Sequence, residues 1–276
     1  MEFELEIYGE GNDSNYRFLR RGDEIVTIKH GPRAQARSLE TFFYNDPPVV
    51  WFVDGSALEG NQYVPLRTPQ PAYDSTKIAA WDWTEVDITS ESQGEHRDYA
   101  TVQAQVIRTL SQDETYTVIF DDDGAGEAAD VVAIRVLGGV QTPVRVEVEF
   151  YNCKYSHGAI PGHRIIDLYE VCGQAQKSIW WAASPQKKSD LLTHLMRRES
   201  LRISSGRSTR FERGSVELLH TIREISKVVQ VSFAIAIVQP GVSKVEVSFD
   251  QLQLLGVTHN HLWETYQLPF SVIGSS

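Results

Sequence analysis

Acidic residues are concentrated at the mouth of an apolar run in residues 120–136, "FDDDGAGEAADVVAIRV". Three consecutive aspartates and a glycine-rich turn lead to Glu127, and Asp130 stands directly before the apolar residues. Carboxylate oxygens are the ligands that hard divalent cations prefer, and a charge that is buried without a partner is costly. The pattern therefore predicts either a solvated turn or a metal site at the start of a buried strand.

The next apolar run favours the metal site. It reads "VRVEVEFYNCKYS", and because side chains alternate along a strand, one face carries apolar residues that end in Asn152 and Lys154. An ammonium group at the end of a core face needs a partner, and Glu127 and Asp130 supply the matching acids. A divalent cation held by these acids would polarise a phosphodiester and activate water, with Lys154 stabilising the developing charge or positioning the water.

The chain resembles the PD-(D/E)XK nuclease superfamily, which includes many restriction and repair nucleases. Three features carry the resemblance: the order of helix, three strands and helix; Asp130 opening the second strand in "GEAADVVAI"; and Lys154 in "YNCKYS" of the third strand. The following helix contains "GQAQKS", and the family often has a glutamine at this point. The resemblance covers about residues 95–180 and extends more loosely to the rest of the chain.

The resemblance implies an α/β fold in which a restriction-endonuclease-like mixed sheet is flanked by helices. It also implies a metal-dependent nuclease that cleaves DNA phosphodiester bonds with Mg²⁺ or Mn²⁺, with RNA as the alternative substrate. Glu127, Asp130 and Asn152 would hold the metal. Asp130 and Lys154 would be the catalytic residues, and Gln174 would orient the site.

Asn152 stands where the family has its middle acid, two residues before the lysine. An amide oxygen can bind a cation but brings no charge to the site. Glu127 or Glu149 would replace the missing acid, Glu149 only if a β-bulge turned it toward the metal. This departure leaves a second hypothesis open: a catalytically weak or inactive nuclease-like module that binds nucleic acid or docks a motor protein.

A longer string also resembles the nuclease regions attached to large bacterial DEAD/DEAH-type helicases of phage-defence systems. It reads "DDDGAGEAAD … CKYS … DLYEVCGQAQKS … FAIAIVQPG". The resemblance implies a role in antiviral defence or restriction together with a helicase. Because the chain has no GxxxxGK[ST] phosphate-binding loop, the motor would be a partner protein or a fused domain outside this sequence.

The charge distribution predicts a local nucleic-acid-binding surface. The formal net charge of −11 disfavours a simple nucleic-acid-binding protein, which is usually basic. Residues 187–213 nevertheless hold eight Lys and Arg against three Asp and Glu, and local positive charge is enough to attract phosphate. The candidate phosphate-binding residues are Arg197, Arg198, Arg207, Arg210 and Arg213.

The pattern of apolar runs divides the chain in two. Residues 1–90 contain short β-branched and aromatic runs separated by Gly, Asn and Asp, which predict a small β-rich accessory domain. Residues 91–276 predict the nuclease-like domain, beginning with a helix in which Val102, Val106 and Leu110 share one face. "YDSTKIAAWDWTEVDITSESQGEHRD" is expected to be a polar connector, and "RISSGRSTRFERG" is expected to be a loop.

Several polar residues have simpler interpretations than catalysis. Three consecutive acids beside a glycine are typical of a turn, which is the expected role of Asp121, Asp122 and Asp123. His157 and His163 lack the neighbouring acid or cysteine spacing of a zinc site and are expected to be ordinary loop residues.

The cysteines and tryptophans are expected to be structural. Cys153 and Cys172 are the only two cysteines, too few for a disulfide framework, and would pack as small apolar residues. Trp180 and Trp181 are expected to pack in the core, with base stacking as the alternative.

The sequence predicts a cytoplasmic protein that does not enter a membrane. No apolar run approaches the roughly 20 residues that span a bilayer. The N-terminus is acidic and lacks the basic-then-apolar layout of a signal peptide. Nothing in the sequence indicates the oligomeric state.

Overall fold

The chain forms two compact units, Met1–Gln70 and Pro71–Ser276. The computed structural model describes residues 2–9, 15–29, 35–52, 56–65, 71–182 and 185–276, with the backbone alone for residues 185–189. The structure places the boundary earlier than the predicted residue 90, because the strand Ile78–Trp81 belongs to the main sheet of the second unit.

The first unit is rich in short strands. Its described elements are β1 (Glu2–Tyr8), β2 (Asn15–Arg21), β3 (Thr27–Ile28), β4 (Arg37–Ser38), α1 (Leu39–Asn45), β5 (Val49–Trp51), β6 (Ala57–Glu59) and β7 (Gln62–Val64). β1 and β2 form an antiparallel hairpin. The rings of Phe3 and Phe18 on this hairpin each lie 5.3 Å from the ring of Phe43 on α1, so the helix packs on the hairpin through aromatic contacts.

The second unit is built on one large sheet with helices on both faces. Its described strands and helices are β8 (Ile78–Trp81), α2 (Val102–Ser111), β9 (Val118–Asp121), β10 (Val131–Leu137), β11 (Arg145–Cys153), α3 (Ile166–Ala182), α4 (Pro185–Ser204), β12 (Phe211–Arg213), α5 (Val216–Ile225), β13 (Gln230–Ser243), α6 (Phe249–Asn260) and β14 (Phe270–Ser275). A short 3₁₀ turn, Ser75–Lys77, precedes β8, and a π-helical turn, His261–Thr265, follows α6.

The large sheet is mixed, as predicted. Its seven strands lie in the order β12-β9-β10-β11-β13-β14-β8. The pairs β12–β9, β9–β10 and β10–β11 are antiparallel, whereas β11–β13, β13–β14 and β14–β8 are parallel. The α/β class and the helix-flanked mixed sheet are therefore confirmed.

The alternation of side chains along β10 and β11 divides the core into two layers. Val132 and Phe150 are paired in register and face α3 to α6, where they pack with residues such as Leu168. Val131 and Tyr151 are also paired, and they face α2 on the other side of the sheet. Both faces of the central strands are apolar because helices cover both.

Polar residues start the helices of the second unit. The side chains of Thr101, Ser215 and Ser248 accept hydrogen bonds from the first turns of α2, α5 and α6, which satisfies backbone N–H groups that have no partner within the helix. Gln251 completes a capping box with Ser248. Among the described residues, no helix is both long and apolar enough to cross a membrane.

Two strands of the sheet were not predicted. β8 lies within the expected connector and forms one edge of the sheet, and β12 lies within the expected arginine-rich loop and forms the other edge. Both are short, and their sequences lack a clear alternating pattern. The connector is folded: Trp83 is 9% exposed, and its Nε1 atom donates to the Gly274 carbonyl at 3.0 Å.

Candidate metal centre

The acid and amide side chains predicted for the site meet at one end of the large sheet, where β9 ends, β10 begins and β11 ends. When the register of both ladders is continued one residue before Val131, Asp130 falls between Asp122 and Asn152. The Asp122 N–H donates to the Asp130 carbonyl oxygen at 3.0 Å. Three neighbouring strands therefore bring polar side chains to the same end of the sheet.

Three carboxylates lie at the centre of this end of the sheet. One oxygen atom each from Asp123, Glu127 and Asp130 lie within 4.8 Å of one another. Burial, helped by the charges of Glu127 and Asp123, raises the pKa of Asp130 well above its ordinary value, against the hydrogen bond from Cys153. Burial and Asp123 likewise raise the pKa of Glu127. Carboxylates crowded in this way resist ionisation, and a divalent cation would relieve their repulsion.

The turn between β9 and β10 fixes Glu127. Gly124 and Gly126 have φ values of 105° and 86°, which glycine adopts without strain. The Gly124 N–H donates to Glu127 Oε2 at 2.8 Å, and the Glu127 N–H donates to the Gly124 carbonyl at 3.0 Å. The glycine-rich turn is therefore the element that positions this acid.

The three consecutive aspartates have three different environments. Asp121 accepts a hydrogen bond of 2.9 Å from Gln103 at the start of α2. Asp122 is fully buried beside Arg198. Asp123 joins the acid cluster, although the sequence assigned it to the turn alone. The turn interpretation therefore omits one potential metal ligand.

Arg198 and Arg210, two of the five predicted phosphate-binding arginines, hold the acidic turn instead. Arg198 forms an ion pair with Asp122 and donates to the carbonyl oxygen of Ala125 at 2.7 Å. Burial raises the pKa of Asp122 to about 7, against the attraction of Arg198. Arg210 is 8% exposed and donates to the Asp121 carbonyl oxygen at 2.8 Å. Their guanidinium groups therefore stabilise the turn between β9 and β10.

The other three predicted arginines divide between structure and surface. Arg213 donates to the carbonyl oxygens of Asp113 and Ser111 at 2.6 and 2.7 Å, near the end of α2. Arg207 has a side chain that is 45% exposed and pairs with Glu95 at 2.8 Å, and Arg197 is exposed. The predicted phosphate-binding set is thus corrected, because only its two exposed members remain available.

Two amide side chains predicted for the site, Asn152 and Gln174, contain buried atoms without partners among the described residues. Asn152 is 2% exposed, and its Oδ1 atom accepts a hydrogen bond of 3.3 Å from Ser178. Its Nδ2 atom, and the Oε1 atom of Gln174 one helical turn before Ser178, are buried without a hydrogen-bond partner in the described part of the chain. Such an atom costs about 1–3 kcal/mol, so each amide has hydrogen-bonding capacity that the described residues leave unused.

Lys154 follows β11 at the same end of the sheet and is 7% exposed. Its Nζ atom lies 2.9 Å from Glu91 and 3.0 Å from Glu170. Burial acts to lower the pKa of Lys154, but the hydrogen bonds to Glu91 and Glu170 outweigh it and raise the pKa. Lys154 is therefore a charged ammonium group held between the segment before α2 and the first turns of α3.

Glu91 is a site residue that sequence reasoning missed. Besides pairing with Lys154, it accepts a hydrogen bond of 3.3 Å from the Tyr155 N–H. Its charge contributes to the raised pKa of Asp130, so it lies near the acid cluster. The available signal was the acidic string "SESQGEHRD" before an amphipathic helix, but an irregular segment has no periodicity to show where a side chain points.

Glu149 belongs to a different cluster. Its carboxylate pairs with Arg135 and accepts hydrogen bonds from Tyr116 at 2.7 Å and from Tyr151 at 2.5 Å. β11 keeps an unbroken register with β10 from residue 145 to residue 151 and with β13 from residue 145 to residue 153, so no bulge turns Glu149 toward the metal. The structure does not support its expected role as a replacement ligand.

The cysteines are structural and the tryptophans differ from each other. Cys153 and Cys172 are buried, as predicted, and burial raises the pKa of both thiols, that of Cys172 to about 12. Trp181 packs against the core, with its ring 4.6 Å from His194. Trp180 is 62% exposed, so the expected core packing is wrong for this residue.

Comparison with protein-family models, curated proteins and solved structures found no match to this chain. The chemical interpretation therefore rests on geometry. The centre offers three carboxylates, amide groups and a charged lysine at one end of the sheet. Oxygen-rich sets of this kind suit hard cations such as Mg²⁺ and Mn²⁺.

Proposed function

We propose that this protein is a metal-dependent nuclease that cleaves DNA phosphodiester bonds. The observation that carries the proposal is the meeting of three carboxylates within 4.8 Å of one another. They lie at the end of the sheet where the charged Lys154 also lies. Hydrolysis of an anionic phosphodiester requires positive charge close to the phosphate. A cation bound by the acids and an adjacent ammonium group would supply it.

Each residue of the centre has a distinct role in this proposal. Asp123, Glu127 and Asp130 would hold the cation, and Asn152 would add an uncharged ligand. When bound, Mg²⁺ or Mn²⁺ would polarise the phosphodiester and activate a water molecule. Lys154 donates hydrogen bonds to the phosphate or to the attacking water, since Glu91 and Glu170 keep it charged.

The order of the elements supports a restriction-endonuclease-like core. α2 is followed by the antiparallel strands β9, β10 and β11, then by α3, and later by β13, which is parallel to β11. In this arrangement Asp130 precedes the second strand and Lys154 follows the third, so both lie at the same end of the sheet. The expected helix, three strands and helix are all present at these positions.

Asn152 favours a second candidate function, a nuclease-like module that binds nucleic acid or docks a motor protein without cutting. The amide brings no negative charge to the cation. In addition, Lys154 is already neutralised by Glu91 and Glu170 in the absence of substrate. A weakly held cation and an engaged lysine would leave binding as the main activity.

DNA as substrate and a helicase or other ATPase as partner complete the proposal. Both follow from the resemblance in sequence to nuclease regions of defence helicases. Three of the five candidate arginines are bound to backbone carbonyl oxygens, so within this set only two exposed side chains are left to hold DNA. A motor that delivers the strand would compensate for this weak grip.

The direct test is a cleavage assay with the purified protein on single-stranded DNA, duplex DNA and RNA. Each substrate is incubated with Mg²⁺, with Mn²⁺ and with a chelator. Asp130→Asn removes a central acid, and Glu114→Gln is the matched control because Glu114 is exposed and lies outside the cluster. We expect metal-dependent cleavage that Asp130→Asn abolishes and Glu114→Gln preserves.

The outcomes separate the two candidate functions. Cleavage that persists with the chelator, or that Asp130→Asn leaves unchanged, would show that the acid cluster is not the catalytic centre. Binding of DNA without cleavage under every metal condition would favour the non-catalytic module.

A further inference from the structure

The loop after β11 presents one imidazole that is held by a buried carboxylate. Asp167 on α3 has a fully buried side chain, and its Oδ1 atom lies 2.7 Å from His157 Nδ1. The same oxygen accepts a hydrogen bond of 3.0 Å from the His157 backbone N–H. The His157 side chain is 36% exposed, so its Nε2 edge is the part of the ring that a substrate can reach.

Asp167 is fixed on both of its oxygens. While Oδ1 faces His157, Oδ2 accepts a hydrogen bond of 3.0 Å from Arg164 Nε. The Asp167 backbone carbonyl accepts a further bond of 2.7 Å from Gln239 on β13. Because a carboxylate accepts hydrogen bonds, the imidazole presents its Nδ1–H to Asp167, which leaves Nε2 to gain or lose the exchangeable proton.

The loop is built tightly around the Arg164 side chain. A Cβ atom placed on Gly158 or Gly162 would lie only 2.9 or 2.8 Å from Arg164 Nη1, so a larger residue at either position would displace the guanidinium. The guanidinium also donates to Ser156 Oγ and to the Ile160 carbonyl, each at 2.8 Å. The loop therefore holds His157 in one position, as a proton-transfer group requires.

The ring of Tyr155 contacts both His157 and Lys154. The Tyr155 ring lies 5.0 Å from the His157 ring. On the other side, Lys154 Nζ lies 4.8 Å from the centre of the Tyr155 ring. His157 is thus separated from Lys154 by a single side chain.

From this geometry we infer that His157 is the general acid that protonates the leaving oxygen, an inference that rests on the proposed nuclease function. Water forms a new bond to phosphorus and releases a proton to solvent. The bond between phosphorus and the leaving oxygen breaks with its electron pair on that oxygen, which takes the proton from His157 Nε2. The neutral imidazole then regains a proton from solvent. Lys154 acts on the phosphate or the attacking water, so the two residues have separate roles.

The charged groups around His157 are consistent with this role. Asp167 faces its Nδ1 edge from α3, and Arg164 neutralises the second oxygen of that carboxylate from the loop. Tyr155 covers one side of the ring. Asp167 therefore fixes the orientation of the ring, and Nε2 is the nitrogen that does not face this carboxylate.

The test compares two leaving groups in the full-length protein. His157→Asn keeps a side-chain donor for Asp167 but removes Nε2, and His163→Asn is the matched control because His163 is an exposed histidine of the same loop. One substrate is a DNA oligonucleotide, whose alkoxide leaving group needs a proton. The other is bis(p-nitrophenyl) phosphate, whose phenolate leaves without one. General acid catalysis contributes about 10²–10⁴-fold, so His157→Asn should slow the oligonucleotide reaction at least about 100-fold and leave the aryl ester reaction nearly unchanged.

Other outcomes overturn the inference. Equal losses on both substrates would show that His157 only shapes the site, and no loss on either would show that it is an ordinary loop residue. A parent protein that cleaves neither substrate overturns the proposed function and this inference with it, whereas a cleaving parent with an unaffected variant overturns the inference alone. Nitrogen NMR of the parent provides a readout besides activity: Nδ1 should carry the proton that faces Asp167, and the opposite tautomer would contradict the dyad.

Discussion

The Oδ2 atom of Asp130 accepts a hydrogen bond of 2.7 Å from the backbone N–H of Cys153. This bond joins the start of β10 to the end of β11 between Asn152 and Lys154. The acid, the amide and the lysine therefore hold a fixed geometry relative to one another. The bond also partly offsets the cost of burying the Asp130 carboxylate.

Replacing Asp130 by Asn should stabilise the metal-free protein. Burial and the nearby acids raise the pKa of Asp130, which means that its ionised form is disfavoured in the folded state. A neutral amide removes that penalty and can still accept the Cys153 hydrogen bond. We expect a higher melting temperature without metal, where about 2–4 °C corresponds to about 1 kcal/mol, and loss of the further increase that Mn²⁺ gives the parent.

Glu114→Gln is the control for this measurement, because it removes an exposed carboxylate outside the centre. It should change neither the melting temperature nor the response to Mn²⁺. A metal-free Asp130→Asn protein that melts below the parent would contradict the view that the acids repel one another.

Binding of a divalent cation should release protons and strengthen as the pH rises. Metal ligands must be ionised, and the pKa values of Asp130 and Glu127 are both raised. Affinity should therefore increase with pH until both carboxylates are ionised, whereas the stability of the metal-free protein should fall between the ordinary and the raised pKa values. Calorimetric titrations of Mn²⁺ in two buffers with different ionisation enthalpies measure the released protons, and identical heats would contradict the prediction.

Arg198→Ala should destabilise the protein far more than Arg197→Ala. Arg198 pairs with the fully buried Asp122 and donates to the Ala125 carbonyl oxygen, and breaking a buried ion pair costs about 3–5 kcal/mol. Arg197 is its exposed neighbour on the same helix, where a substitution usually changes stability by less than about 0.5 kcal/mol. Urea unfolding of both variants measures the difference, and equal effects would contradict the structural role of Arg198.

The regular part of the fold was predictable because periodicity reports which face of an element is buried. The spacing of Val102, Val106 and Leu110 correctly predicted α2, and the alternation along β11 correctly separated the face of Phe150 from that of Tyr151. The same alternation placed Asn152 and Lys154 at the end of the sheet. β8 and β12 were not predicted, because each strand is too short to show an alternating pattern.

The irregular part of the site was beyond this reasoning. Asp123 and Glu91 lie in segments without a repeating pattern, where only the three-dimensional path of the chain shows which side chains meet. Composition also misled the assignment of the arginines. A local excess of positive charge cannot distinguish a solvated guanidinium from one such as Arg210, which is bound to carbonyl oxygens.

Lys154→Met should separate catalysis from metal binding. The methionine keeps most of the aliphatic volume but removes the charge that faces Glu91 and Glu170. Loss of a hydrogen-bond donor to the transition state typically costs about 10²–10³-fold in rate, so cleavage should fall by this factor. Because two carboxylates lose their counter-charge, the affinity for Mn²⁺ should not decrease. A variant that cuts normally would exclude Lys154 from the reaction, and one that no longer binds Mn²⁺ would assign it to the structure of the metal centre.

Asn152 tests whether the amide is a metal ligand. The continued register places it opposite Asp130. A cation would bind its Oδ1 atom, because the Nδ2 atom, which has no partner among the described residues, is a hydrogen-bond donor. Asn152→Asp adds a charged ligand there, so the metal concentration for half-maximal cleavage should fall about tenfold, equivalent to about 1.4 kcal/mol. Asn152→Ala should raise that concentration.

The same Asn152→Asp protein should be less stable than the parent when metal is removed, because a further carboxylate is then buried beside Asp130 without compensation. Opposite changes in metal-free stability and in metal requirement identify Asn152 as facing the cation. Ser178→Ala is the control, since Ser178 contacts the Asn152 Oδ1 atom without being placed among the ligands, and it should leave the metal requirement nearly unchanged. If Asn152→Asp and Asn152→Ala both match the parent in metal requirement, the cation is held by Asp123, Glu127 and Asp130 without the amide.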